Sequence, residues 1–230
     1  GSTLSKPASE RSHFAENLET WNEFSLQNPE ELGSFIEGDL IIINNNLAKN
    51  GIMNLSKRWE NGIIPFEIKG WYKKNELALI YKAIDYYHNF TCIRFRPRSS
   101  GDDSYISITS GQSGCWSSVG NQGKKQIVNL QSPQCVTKIG TILHELMHVI
   151  GFVHEQSRHE RDDYVTINWN NIKSSSKDNF KKSPESYESG FDVPYDYESV
   201  MHYSRFAFSA NGQPTIIPKV SYHYILHMLI

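Results

Sequence analysis

At 230 residues, with 38% hydrophobic and 12% aromatic content and a formal net charge of −2, the chain has the composition of one globular domain or of two small lobes flanking a cleft. That charge balance argues against a nucleic-acid partner, and no apolar run is long enough to span a bilayer. The chain starts Gly1-Ser2 with neither an initiator Met nor an apolar leader, so any signal peptide is expected either to have been removed or to lie outside this sequence.

The leader is acidic. Residues 1–49 hold eight acids against three bases, a net of −5 that leaves +3 for the remainder. Such a leader reads either as a solvated tail or as a segment that docks on a mildly basic body and is later cut away. Phe14, Leu18 and Trp21 recur at helical spacing, which predicts a short amphipathic helix before the loop at Asn28-Pro29. Phe35-Ile-Glu-Gly-Asp-Leu-Ile-Ile-Ile reads as extended. The polar stretch Asn44–Asn50 then forms a linker in which Lys49 is open to a trypsin-like protease.

A strand is expected from Ile63 to Ile68, close to a sheet edge because Pro65 cannot donate to a ladder. Residues 75–90 predict a long helix, with Leu77, Ile80, Tyr81, Ile84 and Tyr87 on one stripe. Strands follow at Cys92–Arg96, Tyr105–Thr109, Cys115–Val119 and Lys125–Leu130, for a sheet of about five. Cys115 and Cys135 bracket a hairpin that a disulfide could close, adding about 3 kcal/mol in the chain-entropy account, and Cys92 is left over. The disulfide, with sequons at Asn54-Leu-Ser and Asn89-Phe-Thr, is consistent with a secreted glycoprotein.

The run His144-Glu-Leu-Met-His-Val-Ile-Gly-Phe-Val-His154 carries the chemistry. On a helix, His144 and His148 are four residues apart, so both imidazoles leave one face and can bind one metal. Glu145, offset by about 100°, sits beside the metal in the position of a general base acting on water. His154 cannot reach that face along the helix, since ten residues turn it by roughly 280°. The chain must bend, and Gly151 accepts the left-handed conformation that ends helices. Three protein ligands leave the fourth tetrahedral position for water, the arrangement of a catalytic zinc. Beyond His154 the chain is irregular and polar, with a helix expected near Asn168–Lys181 and an apolar tail from Ser221. His88, His159 and His202 read as core or surface histidines, with a supporting part open to His202 alone; Asp192, Asp196 and Glu198 read either as a solvated acidic loop or as charge standing behind the site.

The zinc run extended by Glu155, followed by Ser199-Val-Met-His-Tyr203, resembles the astacin family of metzincin endopeptidases. Arg58-Trp-Glu-Asn-Gly-Ile-Ile-Pro-Phe, Cys92-Ile-Arg-Phe-Arg-Pro-Arg, Ser113-Gly-Cys-Trp-Ser-Ser-Val-Gly and Arg161-Asp-Asp-Tyr-Val support it, and the resemblance covers about residues 35–218. It implies an α+β, two-lobed fold: a twisted, mostly five-stranded sheet with two long helices in the first lobe and an irregular second lobe, preceded by a prosegment. The implied divisions are 1–49 prosegment, 50–151 first catalytic lobe with the zinc helix, and 152–230 second lobe with the Met-turn and an atypical end.

The resemblance implies one Zn2+ held by His144, His148 and His154, with Met201 as an apolar floor beneath it. Tyr203 would be an additional ligand that swings away to stabilise the oxyanion, and Glu155 would meet through water the amino terminus formed on activation. Substrate would add a strand along Cys115, Trp116, Ser117, Ser118 and Val119. The mature terminus falls at Asn50, after Lys49, and Asp39 resembles a prosegment carboxylate that takes the position needed by water, although a lone Gly-Asp is ordinarily a turn. The expected function is a secreted, latent zinc endopeptidase acting on proteins or peptides and activated by a trypsin-like protease. The carboxyl end departs from the family: a cysteine to pair with Cys92 is missing, as is a Gly-Gln-Arg-like basic residue, which leaves a Cys92-linked dimer open. The competing expectation is a truncated product that binds zinc or a partner without competent catalysis.

Overall fold

The computed structural model describes residues 18–41, 55–183 and 193–220. Its centre is a six-stranded sheet built from β1 (Leu40–Ile41), β2 (Ile63–Ile68), β3 (Arg94–Pro97), β4 (Tyr105–Thr109), β5 (Cys115–Ser118) and β6 (Lys125–Leu130), in the order β1-β5-β6-β4-β2-β3. Pairing is parallel except between β5 and β6. Five strands come from the body, as expected, and the sixth is the amino-terminal segment. A smaller antiparallel pair, β7 (Val165–Ile167) with β8 (Ile216–Pro218), belongs to the second lobe.

Pro65 is compatible with its strand because the β2–β4 ladder begins only at Phe66, so Pro65 is paired on the β3 side alone. β2 itself is second from the edge of the sheet, with β3 outside it, in keeping with the expected position close to a sheet edge. In β4, Ile106, Ser107 and Ile108 are all fully buried, so both faces of this strand are covered.

Two helices pack on the sheet: α1 (Lys74–Phe90) and α2 (Ile139–Ile150). Ile80, Ala83, Ile84 and Tyr87 of α1 join Ile142, Leu146 and Val149 of α2 in one apolar core with Ile64, Ile106, Ile108, Val128 and Leu130. Tyr81, expected on that stripe, is half exposed and meets Phe66 edge-on, while Ala83 is buried in its stead. The Tyr87 hydroxyl donates to the Leu143 carbonyl at 2.7 Å, tying the helices together. The Cys115–Cys135 disulfide, with a Cα separation of 5.6 Å, anchors β5 to the turn preceding α2. Cys92 is a free, exposed thiol.

The second lobe has its own core of Val165, Ile167, Ile172, Phe180, Tyr203, Phe208 and Ile216. The helix expected at 168–181 is instead a short 3-10 turn, Ser174–Phe180. Its Ser-Ser-Ser-Lys-Asp-Asn sequence offers side chains that compete for backbone hydrogen bonds, and buried Phe180 pins it.

Residues 18–41 lie across both lobes, so the acidic leader is not a solvated tail where it is described. Of its expected helix, Phe14 lies outside the described residues, while Leu18 and Trp21 are buried. Phe35 packs against Trp116 of β5 with ring centroids 5.1 Å apart, and Gln27 donates to the Phe206 carbonyl at 2.7 Å in the second lobe. The stretch expected to be extended from Phe35 first makes a tight turn, with Phe35 bridged to Gly38, before β1. The Lys49–Asn50 bond, the Asn54 sequon, Asp192 and the tail from Ser221 lie outside the described residues.

Leu146 is fully buried beneath the histidine-bearing face of α2, so Leu146→Ala is expected to lower unfolding stability by about 2–5 kcal/mol. Tyr87→Phe, which removes one interhelical hydrogen bond and no volume, is expected to cost about 1 kcal/mol. Urea unfolding of the two variants checks both values and their order.

Candidate metal centre and the segment that covers it

α2 presents His144 and His148 on one face, with ring centroids 4.6 Å apart, and turns its apolar face to the core. The helix stops at Gly151, whose φ of 128° is open to glycine and strained for other residues. The Gly151 N–H closes on the Met147 and His148 carbonyls, and the chain turns back so that the His154 ring lies 4.9 Å from His148 and 5.2 Å from His144. This is the bend that the helical arithmetic demanded.

Each ring has an outward nitrogen tied down. His144 Nδ1 lies 2.8 Å from the Val200 carbonyl and His148 Nδ1 lies 2.8 Å from the Phe152 carbonyl. A carbonyl only accepts, so both Nδ1 atoms carry a hydrogen and both Nε2 atoms face inward, where each donates to a carboxylate when protonated and offers a lone pair to a metal when not. His154 Nδ1 faces the Glu37 carboxylate at 2.7 Å, with the same consequence.

Asp39 supplies the fourth group. Its Oδ2 lies 2.9 Å from His144 Nε2, 3.2 Å from His154 Nε2 and 3.6 Å from His148 Nε2. The four candidate ligand atoms fall within 4.8 Å of one another, and all four residues are buried. His148 Nε2 and Asp39 Oδ1 make no hydrogen bond. Burial opposes charge on all three rings, yet hydrogen bonding to Asp39 carries His144 up to about 10, and the Asp39 charge carries His154 up to about 9. Burial and the other two rings push His148 down to about 4. Burial also works against the Asp39 charge, but the histidines hold its carboxyl well below the usual range. Protons are thus drawn in to offset a buried carboxylate; a divalent cation among three Nε2 atoms does this without them. The donor set, three imidazoles and one carboxylate at tetrahedral number, fits one zinc ion.

Glu145 is fully buried beside this cluster, and neither carboxylate oxygen has a hydrogen-bond partner. Burial, with the nearby Asp39 charge, raises its pKa well above the ordinary value. Its backbone carbonyl accepts from Ser117 Oγ at 3.0 Å, fixing α2 against β5. β5 is paired on both sides: antiparallel to β6, and parallel to β1 through Leu40 with Ser117 and Ile41 with Ser118. Cys115, Trp116, Ser117 and Ser118 form the strand, and Val119 lies just past it.

The Tyr203 ring lies tilted against His154 with centroids 4.8 Å apart, but its hydroxyl donates to the Glu37 carbonyl at 2.6 Å. His202 is buried next to it, donating from Nδ1 to the Tyr203 carbonyl at 2.7 Å and accepting at Nε2 from the Tyr195 hydroxyl at 2.6 Å. Burial lowers its pKa to about 4, so it stays neutral and buttresses the turn. Met201 is buried in the same turn, and its carbonyl accepts from the Glu155 N–H at 3.0 Å. The Glu155 carboxylate accepts from Arg158 at 2.8 Å and from the Asp196 N–H at 2.9 Å; the terminus expected to meet it lies outside the described residues. His88 accepts from the Phe95 N–H, and His159 lies at the surface beside Glu160.

Three site residues escape a reading of the sequence: Glu30, Glu31 and Glu37. Glu31 accepts from both the N–H (2.5 Å) and the hydroxyl (2.6 Å) of Ser204, immediately after Tyr203. Glu30 accepts from Thr141 of α2 at 3.1 Å. The available signal was Glu37-Gly-Asp39, two acids two residues apart around a glycine.

Comparison with known proteins agrees with this architecture. The peptidase family described as Astacin matches residues 51–227. Zinc metalloproteinase nas-4 of Caenorhabditis elegans is 40% identical over 83% of this chain and 62% of its own length, and nas-7 of the same organism is 39% identical over 90% and 53%. The chain therefore spans a little over half the length of these relatives. Among solved structures, High choriolytic enzyme 1, a hatching enzyme zinc-protease from Oryzias latipes, superposes with a TM-score of 0.65 at 40% identity, covering 72% of this chain and 81% of that one. With the family matched over most of its length, its α+β fold in place and a cluster suited to one zinc at its centre, this chain belongs to the astacin family.

Proposed function

We propose that the chain is a zinc endopeptidase held latent by its own amino-terminal segment, secreted, and released by cleavage after Lys49. On this reading residues 1–49 are a prosegment, 50–151 the first catalytic lobe and 152–230 the second. The observation that carries it is Asp39. It comes from a stretch that precedes the family match at 51–227, yet its Oδ2 stands within 3.6 Å of all three imidazole Nε2 atoms.

His144, His148 and His154 would hold the zinc. When bound, zinc supplies Lewis acidity toward a peptide carbonyl and lowers the pKa of water. Glu145, buried with both oxygens unengaged, is the general base: it takes the proton of the attacking water and returns it to the leaving amine. Tyr203 donates to the developing oxyanion once its hydroxyl leaves the Glu37 carbonyl. Met201, Gly151 and Glu155 hold the turns around these groups. The edge of β5 now occupied by β1 would pair with an extended substrate by main-chain hydrogen bonds, so the segment blocks both the reacting centre and the binding strand. The disulfide and the exposed Asn89 sequon support secretion, and among the described residues no helix is long and apolar enough to cross a membrane.

The free, exposed Cys92 favours a second reading, a chain that binds zinc, alone or as a Cys92-linked dimer, without competent catalysis. Trypsin treatment followed by a quenched-peptide assay separates the two, since zinc retained without turnover after cleavage at Lys49 supports the second.

Glu145→Gln in the cleaved chain is expected to retain zinc and lower kcat by about 100-fold or more, read by metal analysis beside the peptide assay. Undiminished turnover removes Glu145 from the mechanism. Asp39→Ala is expected to loosen the segment, giving faster tryptic cutting and measurable peptidase activity in the uncleaved chain; a variant both as silent and as slowly cut as the unaltered chain would show that Asp39 does not hold the segment in place.

A further inference from the structure

The three imidazoles are not held alike. His144 and His148 direct their Nδ1 hydrogens to the Val200 and Phe152 carbonyls, which belong to the body of the protein. His154 directs its own to the Glu37 carboxylate, 2.7 Å away, which belongs to the amino-terminal segment. Among the described residues no body group forms a hydrogen bond with His154 Nδ1. The third ring of the site thus depends for its orientation on the segment that covers it.

Glu37 is built into this position. Its φ of 53° lies in the left-handed region, which costs a residue other than glycine about 1 kcal/mol, and its side chain is only 1% exposed. Its N–H donates to Asn179 Oδ1 at 3.1 Å and its carbonyl accepts from the Tyr203 hydroxyl at 2.6 Å. The next residue has to be glycine: a Cβ on Gly38, itself at a φ of 95°, would stand 3.0 Å from the Glu30 carbonyl and 3.1 Å from the Phe208 ring. Backbone strain, two anchoring hydrogen bonds and a close-packed glycine place Glu37 and Asp39 on opposite nitrogens of the same ring, Nδ1 and Nε2.

We propose that Glu37 is a positioning residue for the metal: it orients His154 and strengthens it as a ligand, so that the segment which blocks the zinc site also tightens its hold on zinc. A carboxylate on the far nitrogen fixes the tautomer and makes the imidazole a better donor, and loss of such a partner typically weakens metal affinity about 10–100-fold. Charge balance points the same way. One divalent cation among three neutral rings offsets the two carboxylates that touch them, in a place where unbalanced charge is costly. By linkage, zinc and the docked segment stabilise each other, and Glu37 carries part of that coupling as well as Asp39.

This inference rests on the reading of the cluster as a zinc site, and the experiment separates the two. Zn2+ affinity of the intact, uncleaved chain is measured by competition with a chromophoric chelator for the unaltered protein, Glu37→Gln, Glu37→Ala and Asp39→Ala. Co2+ absorption spectra report ligand geometry, and hydrogen–deuterium exchange over residues 35–41 reports docking. Glu37→Gln, which keeps shape and an acceptor but loses the charge, is expected to lower affinity about 10-fold with the segment still protected, to leave the Co2+ spectrum four-coordinate, and to reduce the added protection that zinc confers on residues 35–41. Both Glu37 variants binding within twofold of the unaltered chain would overturn the positioning role. So would a loss of affinity seen only where the segment has come undocked, as that would be an indirect loss of Asp39. Failure of the unaltered chain to bind Zn2+ or Co2+ would instead remove the zinc reading beneath it.

Discussion

A carboxylate 1% exposed to solvent cannot be left without partners, and Asp39 finds them in three imidazoles whose Nε2 atoms either carry protons toward it or, bare, share a metal with it. That requirement organises the rest of the site. It explains why the Nδ1 of His144 meets a carbonyl from the turn before Met201, and why that of His148 meets a carbonyl just past Gly151. An imidazole rotated by half a turn would present N–H where a lone pair is needed. Helix α2, the glycine bend and the Met201 turn are therefore devices for aiming three lone pairs at one point, with the apolar core beneath α2 keeping the helix from rotating.

The segment from 18 to 41 buries four acids, Glu30, Glu31, Glu37 and Asp39, against a body that supplies donors for each. Such burial is costly unless the groups are hydrogen-bonded, and here the donors lie on both lobes: Thr141 on α2, Ser204 beyond the Met201 turn, and the histidines between them. The contacts thus span the cleft and hold the lobes to one strap. A free strap would hydrate the same carboxylates at once, so docking is a balance between water and these donors. Glu31 shows how close that balance is: burial raises its pKa to about 7 despite the two donors from Ser204.

Much of the site could be read before any coordinates because its chemistry is local in sequence. His144, Glu145, His148, Gly151 and His154 fall within eleven residues, and helical geometry alone places the first three and demands a turn at the fourth. Asp39 could be reached only through the family resemblance, since Gly38-Asp39 is an ordinary turn pair and its partners lie more than a hundred residues away. Glu37 showed only as the other acid of the Glu37-Gly-Asp39 pair: its meaning comes from one nitrogen of His154, and no periodicity encodes that. Pro65 shows the limit in the fold. The rule that proline avoids central strands holds at the level of one ladder position, while the strand that contains it is interior.

The two acids around Gly38 divide one task between the two nitrogens of His154. Asp39 meets the lone pair that faces the cluster, and Glu37 meets the hydrogen on the other side, so removing the segment would take both contacts from the same ring. His144 would lose Asp39 but keep Val200, and His148 would keep Phe152. His154 is also the ligand outside the helix, reached through the glycine bend and packed against Tyr203, whose hydroxyl is bound to the same segment. Unmasking would then act most strongly on His154 and Tyr203 together, the ring most in need of a new outward partner and the phenol newly freed to face substrate. The rigid half of the centre, on α2, would stay as it is, and the adaptable half would lie in the second lobe, where the proposed substrate chemistry needs movement.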